Sequence, residues 1–296
     1  MVKRPDRGST VSAYLELVRP ANVTTALADV LAGYGVAGLG DVRALGWLLL
    51  ATAGLYAGGI VFNDFFDRRI DAIERPERPI PSGRVTPATA AWVGAALLAI
   101  GVVAAAQASR EAAIIAATIA IAALIYDAWG KHQRLLGPLN MASCRALNLL
   151  LGLSAVPPML AERWPVAFLP LIYIAGVTTL SRGEVRGGSR LTAAISLVAV
   201  HGVVVSLMVT SIRTPGSAIG GLVLTLLFAG RVLPAFYRAL RNADAQTIRN
   251  AVRTGVLSLV LLDAAIGGVY AGAPYGLLIL ALAPVAWLLA RAFAVT

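Results

Sequence analysis

The sequence predicts an all-α integral membrane protein, a polytopic bundle of nine to ten transmembrane helices, and three observations carry that expectation. The 296 residues are 58% hydrophobic and only 14% charged, with a mean hydropathy of +0.77, which is too apolar for a soluble domain of this size. The apolar residues fall in runs long enough to cross a ~30 Å hydrocarbon layer as helices. Lysine and arginine gather in alternate connecting segments, as in a chain threaded repeatedly through a bilayer.

Taken in order, the runs place candidate helices at 20–39, 45–66, 87–108, 111–128, 136–160, 164–181, 190–211, 217–237, 252–271 and 274–293. Strands are not required anywhere, because backbone in lipid must satisfy its own hydrogen bonds and long Ala- and Leu-rich runs do so as helices. The 29 glycines spread through the chain suit close helix packing. One domain over residues 1–296 accommodates the whole pattern. The first run is too long for a signal-peptide core and lacks a convincing cleavage site, so it reads as a retained helix.

The second run leads directly into NDFFDRRID, Asn63 to Asp71. In a helix Asn63, Asp67 and Asp71 succeed one another at i, i+4, and Asp64 faces Asp67 at i+3. Like charges at that spacing repel, so the face reads as a site for a hard divalent cation such as Mg²⁺, which prefers carboxylate, amide and phosphate oxygens. The alternative is a solvated acidic helix end paired with Arg68, Arg69 and Arg75. After it comes AIERPERPIPSGRVTP (72–87), whose prolines and Gly83 cannot continue the helix. A further loop, YDAWGKHQRLLGP, presents Tyr126, Asp127, Lys131 and Arg134. A third, SRGEVRGGSR, holds Glu184 between Arg182 and Arg186. Carboxylates flanked by Arg and Lys on three loops of one side suit a metal bound together with a diphosphate.

If the N-terminus is cytosolic, 19 of the 25 Lys and Arg fall on inward-facing segments, four on outward-facing ones, and Arg145 and Arg231 within spans. That obeys the positive-inside rule. The formal charge of +10 is then topology plus attraction to anionic lipid and phosphorylated substrates, with no nucleic-acid partner implied. The multi-pass chain is expected in the cell (inner) membrane, with the acidic segment on the cytosolic side.

Several polar residues fall inside spans. Arg145 and Asn148 share a stripe with Met141 and Gly152, and an intramembrane arginine is a functional candidate by default; its alternative is a structural ion pair. Asp29 lies on the face of Asn22, free either to pair with Arg145 or to contact a substrate. Asp263 and Arg231 read as packing or interfacial residues, and His201 as a packing or hydrogen-bonding residue. Phe65, Phe66 and Trp129 suit an apolar ligand or a membrane anchor. The one cysteine, Cys144, excludes an internal disulfide.

The combination of NDFFDRRID, RPERPIPSGR, Tyr126 with Lys131, and the Glu184 loop resembles the UbiA superfamily of intramembrane prenyltransferases. The resemblance implies a bundle of about nine spans around a central cavity open to the cytosol and laterally to lipid. It implies a Mg²⁺-dependent enzyme that moves an isoprenyl group from an isoprenyl diphosphate to an unidentified aromatic or alcohol acceptor. Carried over, Asn63, Asp64, Asp67 and Asp71 form the first metal and diphosphate motif, Arg68 and Lys131 contact phosphate, and Tyr126 lines the cavity. Arg19 and Asn22, in VRPAN, face the same cavity. Arg145, Asn148, Arg182 and Arg186 are candidate substrate contacts.

The second motif departs from the pattern. The superfamily offers DxxxD where this chain has Glu184-Val185-Arg186-Gly187-Gly188, so Glu184 is the one remaining metal ligand there. A single metal helped by Arg182 or Arg186, an altered substrate, or lost activity would each account for this. The SRGEVRGG form resembles the divergent EboC-like branch found with secondary-metabolite clusters. A different class also fits: a UbiA-shaped protein that binds, or helps export, a prenylated or lipid-phosphate metabolite.

Overall fold

The computed structural model describes residues 10–133, 136–185, 187–214 and 218–292; Arg134 and Arg186 lie outside the described residues. Among these, every regular element is helical: α1 (Thr10–Val18), α2 (Pro20–Val36), α3 (Val42–Glu74), α4 (Pro87–Ala108), α5 (Arg110–Ala128), α6 (Leu136–Leu153), α7 (Pro157–Arg163), α8 (Phe168–Ser181), α9 (Arg190–Arg213), α10 (Ala218–Arg241), α11 (Ala245–Leu257), α12 (Leu259–Ala271), α13 (Ala273–Leu280) and α14 (Leu282–Ala292), with 3₁₀ turns at Gly130–His132 and Trp164–Ala167.

Among the described residues, seven helical stretches are long and apolar enough to cross a membrane: Val42–Glu74, Pro87–Ala108, Arg110–Ala128, Pro157–Ser181, Arg190–Arg213, Ile219–Arg241 and Ala245–Ala271. The sequence predicts ten, and the three others have physical reasons for falling short. Helix α2 has only 17 residues. Helix α6 carries Asn140, Arg145 and Asn148 and stops at Leu153, not near residue 160, because Pro157 and Pro158 start α7 and hold Val156 at φ −129°, ψ 88°. The segment after Gly272 is two short helices, α13 and α14, joined at Ala281. A turn at Ser258 likewise divides the predicted 252–271 run between α11 and α12.

Helix α2 is buried along most of its length and packs on α6, α12 and α14. Its Ala- and Gly-rich sequence permits backbone contact with α6. A Cβ on Gly33 would overlap the Leu149 carbonyl oxygen, and one on Gly152 would overlap that of Val30. Around this pair the apolar core has two halves. One gathers α8, α9, α10 and α12 about Tyr173, Phe228 and Leu262; the other joins α3, α4 and α5 through Leu48, Leu55 and Ala116.

Helix α3, at 33 residues, is about 50 Å long, so it outreaches a ~30 Å hydrocarbon layer and carries the acidic segment on its projecting last turns. The chain then folds back on itself. Val85 N–H bonds the Pro79 carbonyl at 3.0 Å, Gly83 takes φ +76°, and Ile80 and Val85 are buried against Ala13 and Leu17 of α1. Arg84 closes the contact with Glu16 at 2.5 Å, a pairing that holds the Glu16 carboxyl below its ordinary range. Just before this fold-back, the turn closed by Arg78 N–H on the Arg75 carbonyl at 3.1 Å brings Arg78 back to α3.

Candidate active site

The acidic segment is helical, as its spacing predicts, and its oxygens divide between two sets of partners. Asp64 and Asp71 are buried and share Arg78, at 3.3 and 2.7 Å. Arg19 reaches Asp64 from the other side at 2.5 Å. Asn63 and Asp67 turn toward the end of α5 and the following turn: Asn63 Nδ2 donates to Asp127 Oδ1 at 2.9 Å, and Lys131 Nζ lies 2.6 Å from Asp67. None of these acids pairs with Arg68, Arg69 or Arg75, so the solvated-helix-end alternative has the wrong arginines.

Arg19 holds an unusual backbone. It is one of two non-glycine residues at positive φ among the described residues, at φ 46°, ψ 72°, directly before Pro20. That left-handed geometry costs on the order of 1–3 kcal/mol and persists where the surroundings fix it. Here the surroundings are the buried Asp64 carboxylate and the Pro20 start of α2.

Next to the acids is a cavity of about 370 Å³ between α2, α3, α5 and α6. Its polar wall comprises Arg19, Asn22, Thr52, Asn63, Tyr126, Asp127, Arg145 and Asn148, and Leu55, Ile60, Ile119 and Ala123 supply apolar surface. A second cavity of about 430 Å³, bounded by α2, α8, α11, α12 and α14, shares Asn22, Tyr56, Tyr126, Met141 and Arg145 with the wall of the first. Six predicted site residues, Arg19, Asn22, Asn63, Tyr126, Arg145 and Asn148, thus line this cavity; Asp64 joins it through Arg19 and Asp71 through Arg78, while the Asp67–Lys131 pair lies one helical turn beyond Asn63.

The remaining predicted residues are elsewhere. Arg68 donates to its own helix at the Phe65 carbonyl, 2.7 Å, with its guanidinium 4.6 Å from the Phe65 ring centre. Arg182 donates to the Gln133 carbonyl at 2.6 Å. Glu184 is held by its backbone, whose carbonyl accepts from Arg249 at 2.6 Å, and partial burial raises its carboxyl above the ordinary value despite that arginine. Asp29 pairs with Arg145 at 3.2 Å and accepts from Asn148 at 2.9 Å, which settles its two options in favour of the ion pair.

Sequence reasoning passed over Tyr56 and Thr52, and it met Arg78 and Asp127 only as members of their loops, without a role for either. Two had a usable signal. Asp127 precedes Lys131 by four residues, and Tyr56 precedes Asn63 by seven, which puts it on the same helix face.

Among the described residues, no three Asp, Glu, His or Cys side chains converge to hold a metal ion unaided. Mg²⁺ does not need such a cage. It is held by one or two carboxylates plus substrate phosphates, keeping several waters. The hard oxygens of Asn63, Asp64, Asp67 and Asp71, with Arg19, Arg78 and Lys131 beside them, fit that mode.

The chain is thus a helical bundle with stretches long and apolar enough to cross a membrane, and acids and cations stand together beside one of its cavities. The chain belongs to the UbiA prenyltransferase family, whose model matches residues 22–252. It is 36% identical over 177 residues to a digeranylgeranylglyceryl phosphate synthase of Ignicoccus hospitalis, a match covering 59% of this chain and 58% of that relative's length. The fold matches a solved structure concerning digeranylgeranylglyceryl phosphate synthase in membranes, with a TM-score of 0.69, 22% identity and coverage of 88% and 99% of the two chains. It also matches a UbiA homologue from Archaeoglobus fulgidus bound to DMAPP and Mg²⁺, with a TM-score of 0.58, 17% identity and coverage of 91% and 99%.

Proposed function

We propose that this protein is a Mg²⁺-dependent prenyltransferase of the inner membrane, with its N-terminus and acidic edge in the cytosol and nine to ten spans in the bilayer. Its donor is an isoprenyl diphosphate and its acceptor an alcohol of the glycerophosphate type, as the names of its relatives suggest. The observation that supports the reading is the pairing of the acidic segment with Arg19, Arg78 and Lys131 beside a cavity that Arg19 and Asn63 line together with apolar residues.

In this mechanism the diphosphate lies at the acidic edge and the isoprenoid tail in the cavity. Asn63, Asp67 and Asp71, together with phosphate oxygens, would hold Mg²⁺, which would supply charge stabilisation for the leaving group. Lys131, Arg19 and Arg78 neutralise the charge that grows on the diphosphate as the allylic carbon–oxygen bond breaks, which is where fixed cations lower a barrier most. Pyrophosphate leaves with the electron pair. The rings of Tyr56 and Tyr126, which line both cavities, offer π surface to the allylic cation. The acceptor oxygen then bonds to that carbon and releases its proton. Arg182 and Arg249, near Glu184, compensate for the carboxylate that the second motif lacks.

The isolated Glu184 favours one other reading, a protein that binds a prenyl or lipid phosphate without turning it over. Purified protein in nanodiscs, given geranylgeranyl diphosphate, Mg²⁺ and a panel of alcohol and aromatic acceptors, separates the two. Transfer yields one pyrophosphate per prenylated product, with an alcohol preferred. Donor binding with no pyrophosphate released from any acceptor supports the binding protein.

A further inference from the structure

The first cavity runs down one face of α3, where Thr52, Tyr56, Gly59 and Asn63 line it at i, i+4, i+7 and i+11. At 1.5 Å per residue its two ends are about 16 Å apart along the helix. Asn63 and Arg19 set one end beside the acidic segment, and neither residue lines the second cavity. A tail attached to a diphosphate at that segment therefore enters the first.

The other end is shut. Thr52 Oγ1 donates to Asn148 Oδ1 at 2.6 Å, and Asn148 Nδ2 donates to the Ala26 carbonyl at 2.8 Å and to Asp29 at 2.9 Å. Asp29 is fixed in turn by Arg145 and by its neighbour Asp263. Parting Thr52 from Asn148 would strand buried polar atoms that an apolar tail cannot satisfy. Behind the pair, Val30, Leu48 and Leu151 are 0% exposed and pack in one cluster, so α2, α3 and α6 close on one another there. One turn below Asn63 the walls are small. Beyond its own helix, a Cβ on Gly59 would meet only Ala123 Cβ, at 3.6 Å, and Ala123 lines the cavity from α5.

We propose that this blind pocket sets the length of the donor: it takes three isoprene units extended, or four with a bend, through the passage between Gly59 and Ala123 and down to the Thr52–Asn148 floor. An isoprene unit advances about 5 Å, four bonds of ~1.5 Å in a zigzag, so three units span the depth. Selection is steric. Lipid tails are as apolar as the pocket, so a longer chain is not drawn out of the bilayer by the hydrophobic effect, and forcing it against a packed floor is unfavourable. In taking the ligand for a prenyl donor, this inference rests on the prenyl-transfer reading.

The test compares tails of different length on the full chain in nanodiscs with Mg²⁺. The probes are dimethylallyl, geranyl, farnesyl, geranylgeranyl and solanesyl thiodiphosphates, bound without turnover, with pyrophosphate release from the corresponding diphosphates measured alongside. Wild type is expected to bind farnesyl or geranylgeranyl best and solanesyl at least ~10-fold more weakly. Gly59→Leu and Ala123→Leu, which fill the passage from opposite walls, are expected to lower the farnesyl-to-dimethylallyl affinity ratio at least ~10-fold. That ratio is read within each variant, so a general loss of folded protein does not move it. Solanesyl bound as tightly as geranylgeranyl, or a ratio unchanged in both variants, overturns the pocket. A length limit in binding with no pyrophosphate released from any donor contradicts the transferase reading and leaves the pocket standing; release without a length limit does the reverse.

Discussion

Arg78 is shared by two buried carboxylates, and with Arg19 it gives Asp64 and Asp71 the positive charge that their burial demands. Removing one partner of a buried pair leaves the other charge uncompensated, at a cost of about 3 kcal/mol or more. Arg78→Ala is therefore expected to lower the thermal midpoint clearly and to weaken diphosphate binding, whereas Arg75→Ala, at an exposed neighbouring position, leaves both unchanged. A thermal-shift series on the two variants checks this; equal midpoints would deny Arg78 its role. The acids themselves were legible from i, i+4 spacing. Which arginines pair with them was not, because Arg78 returns to Asp64, 14 residues back, through the turn that its N–H closes on the Arg75 carbonyl, and Arg19 arrives from another helix through a left-handed backbone. Neither arrangement follows from local periodicity.

Between helices, the contact that fixes the cavity is that of α2 with α6, since these two carry Arg19, Asn22, Arg145 and Asn148. Gly33 and Gly152 let the two backbones touch, and backbone carbonyls cannot move aside as a side chain can. Gly152→Ala is expected to push the helices apart, costing about 1–3 kcal/mol and disturbing the Asn148–Asp29 and Asn148–Ala26 hydrogen bonds. Gly46→Ala, where a Cβ meets nothing within 4 Å, is the control. Chemical denaturation in detergent distinguishes them, and a Gly152→Ala protein as stable as the control would refute the packing account. Long spans such as α4, α5 and α9 were readable from composition almost to the residue. The breaks at Ser154–Val156, Ser258 and Ala281 were not, because apolar sequence continues across them and only Pro157 announces its own turn.

Taken together, the bundle places one intact acidic motif, a set of cations and an apolar cavity side by side, while the second motif contributes Glu184 without a second carboxylate. Family membership was visible in NDFFDRRID and RPERPIPSGR, as was the helical spacing of the acidic segment. The Asp29–Arg145–Asp263 cluster needed three dimensions, since its members are scattered over α2, α6 and α12. What the account requires is that the single motif, helped by Arg and Lys, suffices to bind and ionise a prenyl diphosphate. The direct measurement is pyrophosphate release from geranylgeranyl diphosphate by the purified protein, titrated with Mg²⁺, for wild type and Asp67→Asn. Release that saturates with Mg²⁺, stops with chelator and falls ~10²-fold or more in Asp67→Asn is the predicted result. Release indifferent to Mg²⁺ and to Asp67→Asn, or donor binding with no release at all, would contradict it.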